Sequence, residues 1–169
     1  ISLLRKIIII YLRLFLKFKN LYFIVQNKDD KNFFNSIFKL KKNNLRVIRG
    51  SGIDINYFKY HSEKTKNEVR LAYAGRILED KGILCLVEAF KIAKTKNANL
   101  SLYIAGSLDE ENPSGISKKQ FNQLINFKDI NYLGKINNIK KYWQEADIAV
   151  LLSKREGLPL SLLEAAAIG

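Results

Sequence analysis

Hydrophobic and polar positions follow two rhythms along this chain. From Val69 onward, short apolar runs of strand length (VRLAYA, LSLYIA, INYL, IAVLL) are separated by segments whose apolar residues recur at helical spacing. The pattern predicts strands over 69–74, 100–105, 130–133 and 148–152, and helices over 83–94, 117–126, 136–145 and 160–168. Strict alternation of strand and helix predicts an α/β fold with a parallel, Rossmann-like sheet wound by right-handed crossovers. Ligands of such sheets sit beyond the carboxyl ends of the strands, so the loops after Ala74, Ala105, Leu133 and Leu152 are where chemistry is expected.

The first third is organised differently. Residues 1–19 place Lys6, Arg13 and Lys17 on one helical stripe, with Leu4, Ile7, Tyr11, Leu14, Phe15 and Phe18 opposite. The longest uncharged run, Ile7 to Leu12, falls short of the roughly 20 residues that cross a bilayer. Such a helix suits either a packed position on a sheet or the surface of an anionic membrane. LYFIV (21–25) reads as a strand, and Asn27, Asp29 and Asp30 supply a helix start. Phe33, Phe34, Ile37 and Phe38 continue that helix, and Leu45 to Ile48 reads as a second strand before the Gly-rich turn RGSGID. The polar stretch 59–67 has no periodicity, so we expect the remnant of one domain over 1–50, a linker over 51–67 and a second domain over 68–169. A start on Ile1, the absence of Met and a stop just after a helical run lead us to expect a piece of a longer protein.

Charge narrows the partners. A formal net charge of +13 and a pI near 9.8 call for an anionic partner, such as a phosphate ligand, an anionic membrane face or nucleic acid, or else for many solvated lysines. A nucleic-acid module would interleave aromatics with bases on one sheet face. Here most aromatics fall at core positions, and no nucleic-acid partner is expected. The single Cys85 allows neither a disulfide framework nor a zinc site and fits a reducing, cytoplasmic compartment; the lone His61 is given no catalytic role.

Two loops carry candidate chemistry. In AGRILEDKGI, Gly75 ends a strand and Arg76 and Lys81 precede a helix, a receptacle suited to a diphosphate; alone, the same residues also fit a surface turn. In SKREGLPLSLLEAAAIG, Pro159 fits the first helical turn and leaves the amides of Gly157 and Leu158 facing the ligand side. Glu164 is the only charge in an otherwise apolar helix, and ribose hydroxyls would satisfy it as well as a buried ion pair would. Glu156 can accept from sugar hydroxyls, or be neutralised by Lys154 or Arg155. Gly134, after the third regular strand, belongs to the same expected rim.

EGLPLSLLE, two glutamates separated by seven residues, resembles the signature of retaining glycosyltransferases of family 4. GRILEDKG resembles that family's phosphate-binding loop, with Asp80 where Glu is more usual, and RGSGID resembles its interdomain junction, with Asp54 in place. GSLDEENPSGISKKQ is similar to an insertion of a bacterial subgroup acting on undecaprenyl-diphosphate sugars; by itself it reads as a turn at Asn112 and Pro113 followed by a Ser117/Gln120 capping box. Leu160 stands where that subgroup often carries a base. The resemblance implies a GT-B fold of two Rossmann-like domains, of which residues 68–169 would form the donor-nucleotide half. It also implies that Arg76 and Lys81 bind the donor diphosphate, Glu156 contacts the donor sugar and Glu164 holds the ribose, with Gly75, Gly134, Gly157 and Leu158 among the donor-binding positions. It implies sugar transfer with retention, no metal or other cofactor, a UDP-sugar donor and a lipid-linked or polysaccharide acceptor. A cytoplasmic location, with peripheral contact to an anionic membrane, goes with it. The acceptor wall would come from the domain of which 1–50 is the remnant, so little transfer is expected of the chain alone. An inactive remnant and a GT-B sugar-nucleotide epimerase are the competing expectations.

Overall fold

The structure, a computed structural model, describes residues 3–16, 21–38, 44–50, 52–61 and 68–169, with Arg5 described by its backbone alone. Lys17, Phe18 and the polar residues 62–67 lie outside them. The chain divides into two compact units, residues 1–51 and 52–169.

The first unit holds α1 (Leu3–Phe15), β1 (Phe23–Val25), α2 (Lys28–Phe38) and β2 (Leu45–Val47). β1 and β2 pair in parallel, Phe23 opposite Leu45 and Val25 opposite Val47. The aromatic spacing of α2 brings Phe34 and Phe38 to 5.8 and 6.5 Å from the Phe23 ring. Asn27 caps α2 by accepting from the amide of Asp30 at 2.7 Å.

The second unit carries β3 (Val69–Ala74), α3 (Ile83–Lys96), β4 (Leu100–Ala105), α4 (Lys118–Ile125), β5 (Ile130–Gly134), α5 (Ile139–Gln144), β6 (Ile148–Ala149) and α6 (Leu160–Ile168). Its four strands are all parallel, in the order β5-β4-β3-β6. Period-two alternation sends Tyr73, Leu102 and Ile104 to one face, where they pack with Ile83, Leu86, Val87 and Phe90 of α3 and Phe121 of α4. Ala72 and Ala105 face the other side, and these small residues admit Tyr142, Trp143 and Ile168 from α5 and α6. The Tyr142 hydroxyl donates toward the carbonyls of Tyr73 (2.8 Å) and Tyr103 (2.9 Å), which fixes α5 against the sheet. The Ser117/Gln120 capping box is present at α4.

Several boundaries shift by one or two residues from the sequence expectation, and three differences bear on the site. α5 starts at Ile139 rather than 136, because the Asn138 side chain accepts from the amide of Lys141 at 2.9 Å and sets the helix start there. β6 ends at Ala149 rather than 152: Val150 still donates to Ala72 at 2.8 Å, and the chain then turns toward the loop after β3. Pro159 is the cap residue just before α6, not a residue of its first turn. The stretch 52–61, expected to be linker, packs on the second unit. Asp54 accepts from the amides of Asn56 and Tyr57, and the resulting turn delivers Phe58 into the α5/α6 core.

Candidate functional site

Strands β3, β4 and β5 step outward in one direction, and β6 then returns to the opposite side of β3. The carboxyl ends of β3 and β6 therefore flank the point where the winding reverses, the place where open α/β sheets form a ligand crevice. The loops that follow these two strands are the ones that carry Arg76, Lys81 and Glu156.

The loop after β3 is held from below. Ile77 and Leu78 are buried, bridging to Leu108 and Gly115, and the Tyr73 hydroxyl donates to the Arg76 carbonyl at 2.7 Å. Burial, with the charge of Glu156 adding to it, pushes the Tyr73 hydroxyl well above the usual phenol range, so it remains a donor. A 3₁₀ turn over Glu79–Lys81 follows, closed by Gly82 at φ 75°. A Cβ built on Gly82 would stand 2.1 Å from the carbonyl oxygen of Leu152, so the two loops touch backbone to backbone and only glycine fits. At the end of β4, Gly106 has φ 150° and its Cβ would fall 1.8 Å from the Gly75 carbonyl oxygen.

The loops are also tied by charge. Lys81 Nζ lies 2.6 Å from Glu156 Oε1, with about a quarter of each side chain exposed (26% and 25%). Ser153 Oγ donates to the same oxygen at 2.6 Å. Partial burial favours the neutral Glu156 carboxyl, but the hydrogen bonds from Lys81 and Ser153 and the Lys81 charge outweigh it and hold Glu156 below the usual carboxylate range. Alongside, the Lys154 amide donates to the Asp80 carbonyl and its ammonium meets Asp80 Oδ1, both at 3.0 Å; that hydrogen bond raises the Lys154 pKa.

The other expected site residues fall in different places. Arg76 Nη1 contacts Asp109 Oδ2 on the loop after β4 at 3.4 Å, and the Arg76 side chain is 58% exposed. Glu164 Oε2 accepts from the Trp143 indole N–H at 3.1 Å, so the neighbour of this lone helical charge is a neutral donor on α5. Gly75 donates to Ala105 at 3.0 Å, and the Gly134 carbonyl accepts from Gly106 at 2.8 Å; these two glycines extend the sheet at its rim. Among the described residues, no hydrogen bond engages the amides of Gly157 or Leu158, which precede α6. The structure thus joins Lys81 to Glu156 and keeps Arg76 and Glu164 on separate partners.

Four contributing side chains escaped the sequence reading: Tyr73, Asp109, Trp143 and Ser153. Ser153 had a signal, as a hydroxyl three residues before Glu156 in the same loop. Tyr73 and Trp143 read as core and are core, with polar tips that matter. Among the described residues there is no group of three or more His, Cys, Asp or Glu able to hold a metal ion, and no helix is long and apolar enough to cross a membrane.

The family described as glycosyl transferases group 1 matches residues 53–169 of this chain. The chain belongs to that family. Its α/β architecture is the GT-B type found in solved members. The carboxyl-terminal domain of LpcC from Francisella tularensis, a glycosyl transferase group 1 family protein, aligns with TM-score 0.59 and 25% identity over 69% of this chain and 67% of that one. The fold of HepE from Anabaena, solved with UDP and glucose, aligns with TM-score 0.67 at 16% identity over 86% of this chain and 42% of that one. Among curated relatives, the N,N'-diacetylbacillosaminyl-diphospho-undecaprenol alpha-1,3-N-acetylgalactosaminyltransferase of Campylobacter jejuni is 33% identical over 159 residues, 87% of this chain and 40% of that protein. The capsular polysaccharide biosynthesis glycosyltransferase CapM of Staphylococcus aureus is 31% identical over 139 residues, 76% of this chain and 36% of that protein. This group 1 chain therefore spans about two fifths of the length of these relatives.

Proposed function

We propose that this chain carries, in its second unit, the donor-nucleotide domain of a retaining glycosyltransferase that moves a sugar from a nucleotide diphosphate to a lipid-linked or polysaccharide acceptor in bacterial surface-glycan synthesis. The observation that carries the proposal is the 2.6 Å contact of Lys81 with Glu156 at the reversal point of the sheet. Departure of a nucleoside diphosphate builds negative charge on its phosphate oxygens, and preorganised cations at a partly desolvated rim stabilise that charge without further reorganisation. Lys81 and Arg76 supply the cations, and the unengaged amides before α6 add donors at a helix amino terminus. Glu156, ionised at neutral pH, accepts from donor-sugar hydroxyls, and the diphosphate takes over Lys81. Glu164 exchanges the Trp143 indole for the ribose hydroxyls. The leaving phosphate oxygen helps to deprotonate the acceptor hydroxyl on the same face of the sugar, and no bound metal takes part. The names of the Campylobacter jejuni and Staphylococcus aureus relatives support the acceptor class, and the HepE complex supports UDP as the base-bearing half.

The test is calorimetric titration of the chain with UDP-, GDP- and ADP-sugars. Saturable heat with one class, most simply the UDP-sugars, is expected. Absence of heat with all three from a folded chain rejects the proposal.

A further inference from the structure

The first unit carries a second basic constellation, built from residues outside the candidate donor site. Lys28, Lys31 and Asn32, spaced i, i+3 and i+4, share one face of α2. Val47 and Arg49, two apart at the end of β2, fall on one side of the chain. The two periodicities converge on an open cleft of about 550 Å³ lined by Lys28, Lys31, Asn32, Val47 and Arg49, within the ~300–1,000 Å³ typical of small-molecule sites. The cleft lies at the carboxyl ends of two parallel strands and the amino end of an 11-residue helix, whose positive dipole end adds to the three cations. Among the described residues no carboxylate pairs with Lys28, Lys31 or Arg49. Of the acids in the first turn, Asp30 is tied to the Asn27 side chain at 2.9 Å and Asp29 does not line the cleft. Three unpaired cations around one concavity are electrostatically unfavourable until an anion enters, and a single carboxylate would leave an excess of positive charge.

We propose that this cleft binds a phosphate or diphosphate group, with Lys28, Lys31 and Arg49 as its cationic ligands and Asn32 as a neutral donor. The chemistry is shared by a free phosphate compound and by a lipid phosphate headgroup.

The experiment uses the full chain carrying Arg76→Gln and Lys81→Gln, which removes the bases of the proposed donor site, titrated with inorganic pyrophosphate. Adding Lys31→Gln and Arg49→Gln, both at exposed or half-buried positions, should weaken pyrophosphate binding about tenfold. Adding Lys118→Gln and Lys119→Gln on α4 instead removes the same charge and should leave affinity within about twofold. Equal losses from the two pairs, or no loss from the first, overturn the proposal, because either shows only diffuse attraction to a basic protein. Co-sedimentation with phosphatidylcholine vesicles containing phosphatidic acid separates the sources. Loss of vesicle binding with the Lys31/Arg49 pair assigns a lipid headgroup, and unchanged vesicle binding alongside lost pyrophosphate binding assigns a free phosphate compound. UDP affinity of the chain with native Arg76 and Lys81 should not respond to the Lys31/Arg49 pair, so failure here and failure of the donor-site proposal remain distinguishable.

Discussion

The ammonium of Lys81 meets the carboxylate of Glu156 across 75 positions of sequence at 2.6 Å. Lys81 ends the short 3₁₀ turn after β3 and Glu156 stands in the loop after β6, so the two segments leave the sheet on either side of the same reversal. The contact exists because β6 pairs with β3, Leu71 beside Ile148 and Ala72 beside Ala149, rather than adding beyond β5.

Acid should weaken this contact in a definite direction. Glu156 titrates below its ordinary value of 4.5, so its stabilising contribution is complete above that value and disappears as pH falls through the lowered folded-state value. The stability difference between the native chain and Glu156→Gln, measured by urea unfolding, should be largest at neutral pH and shrink as pH falls below the ordinary value of 4.5. A difference that grows on acidification would contradict the assignment.

Gly82→Ala should be costly although it adds one methyl group. The new Cβ would meet the Leu152 carbonyl oxygen at 2.1 Å, and the backbone stands at φ 75°. A loss of about 2 kcal/mol or more is expected in equilibrium unfolding. Gly134→Ala, also at positive φ but with nothing within 4 Å of its Cβ, should lose only the ~1–2 kcal/mol of the backbone conformation.

Tyr73→Phe removes the hydroxyl that donates to the Arg76 carbonyl at 2.7 Å. Leaving that carbonyl unpaired should reduce stability by about 1–3 kcal/mol, read from the urea midpoint. The loop that carries Arg76 and Lys81 should show faster amide hydrogen exchange in the variant than in the native chain.

Trp143 is the only tryptophan of the chain and reports on Glu164 directly. If ribose hydroxyls take the carboxylate, the indole N–H loses its partner and the emission of Trp143 should shift on UDP addition. Glu164→Ala, which removes the acceptor altogether, should abolish that shift. An identical shift in native and variant chains would separate Glu164 from the ribose.

Much of the fold was legible because its two periodicities are clean. The runs at 69–74 and 100–105 are strands to the residue, and the lone Ser117 before KKQ announces α4 through its capping box. Alternation alone does not state strand order, so the sequence offers Lys81 and Glu156 as separate candidates and only the return of β6 to β3 makes them a pair. Glu164 was legible as a charge in need of a partner, while its partner was not, since a Trp in an apolar pattern reads as packing. The start of α5 was misplaced because Ile136 keeps the apolar rhythm, whereas the Asn138 cap decides where helical hydrogen bonding begins.

The role of Lys81 in holding the donor diphosphate is read most directly from the affinity of this chain for UDP with Lys81 present and absent. Calorimetry on the native chain and on Lys81→Ala, each shown to be folded by circular dichroism, should give binding about tenfold or more weaker in the variant, the size expected for losing a charge-assisted contact to a phosphate. Equal affinity in the two chains would mean that the Lys81–Glu156 contact only joins two loops, and that the diphosphate is held elsewhere.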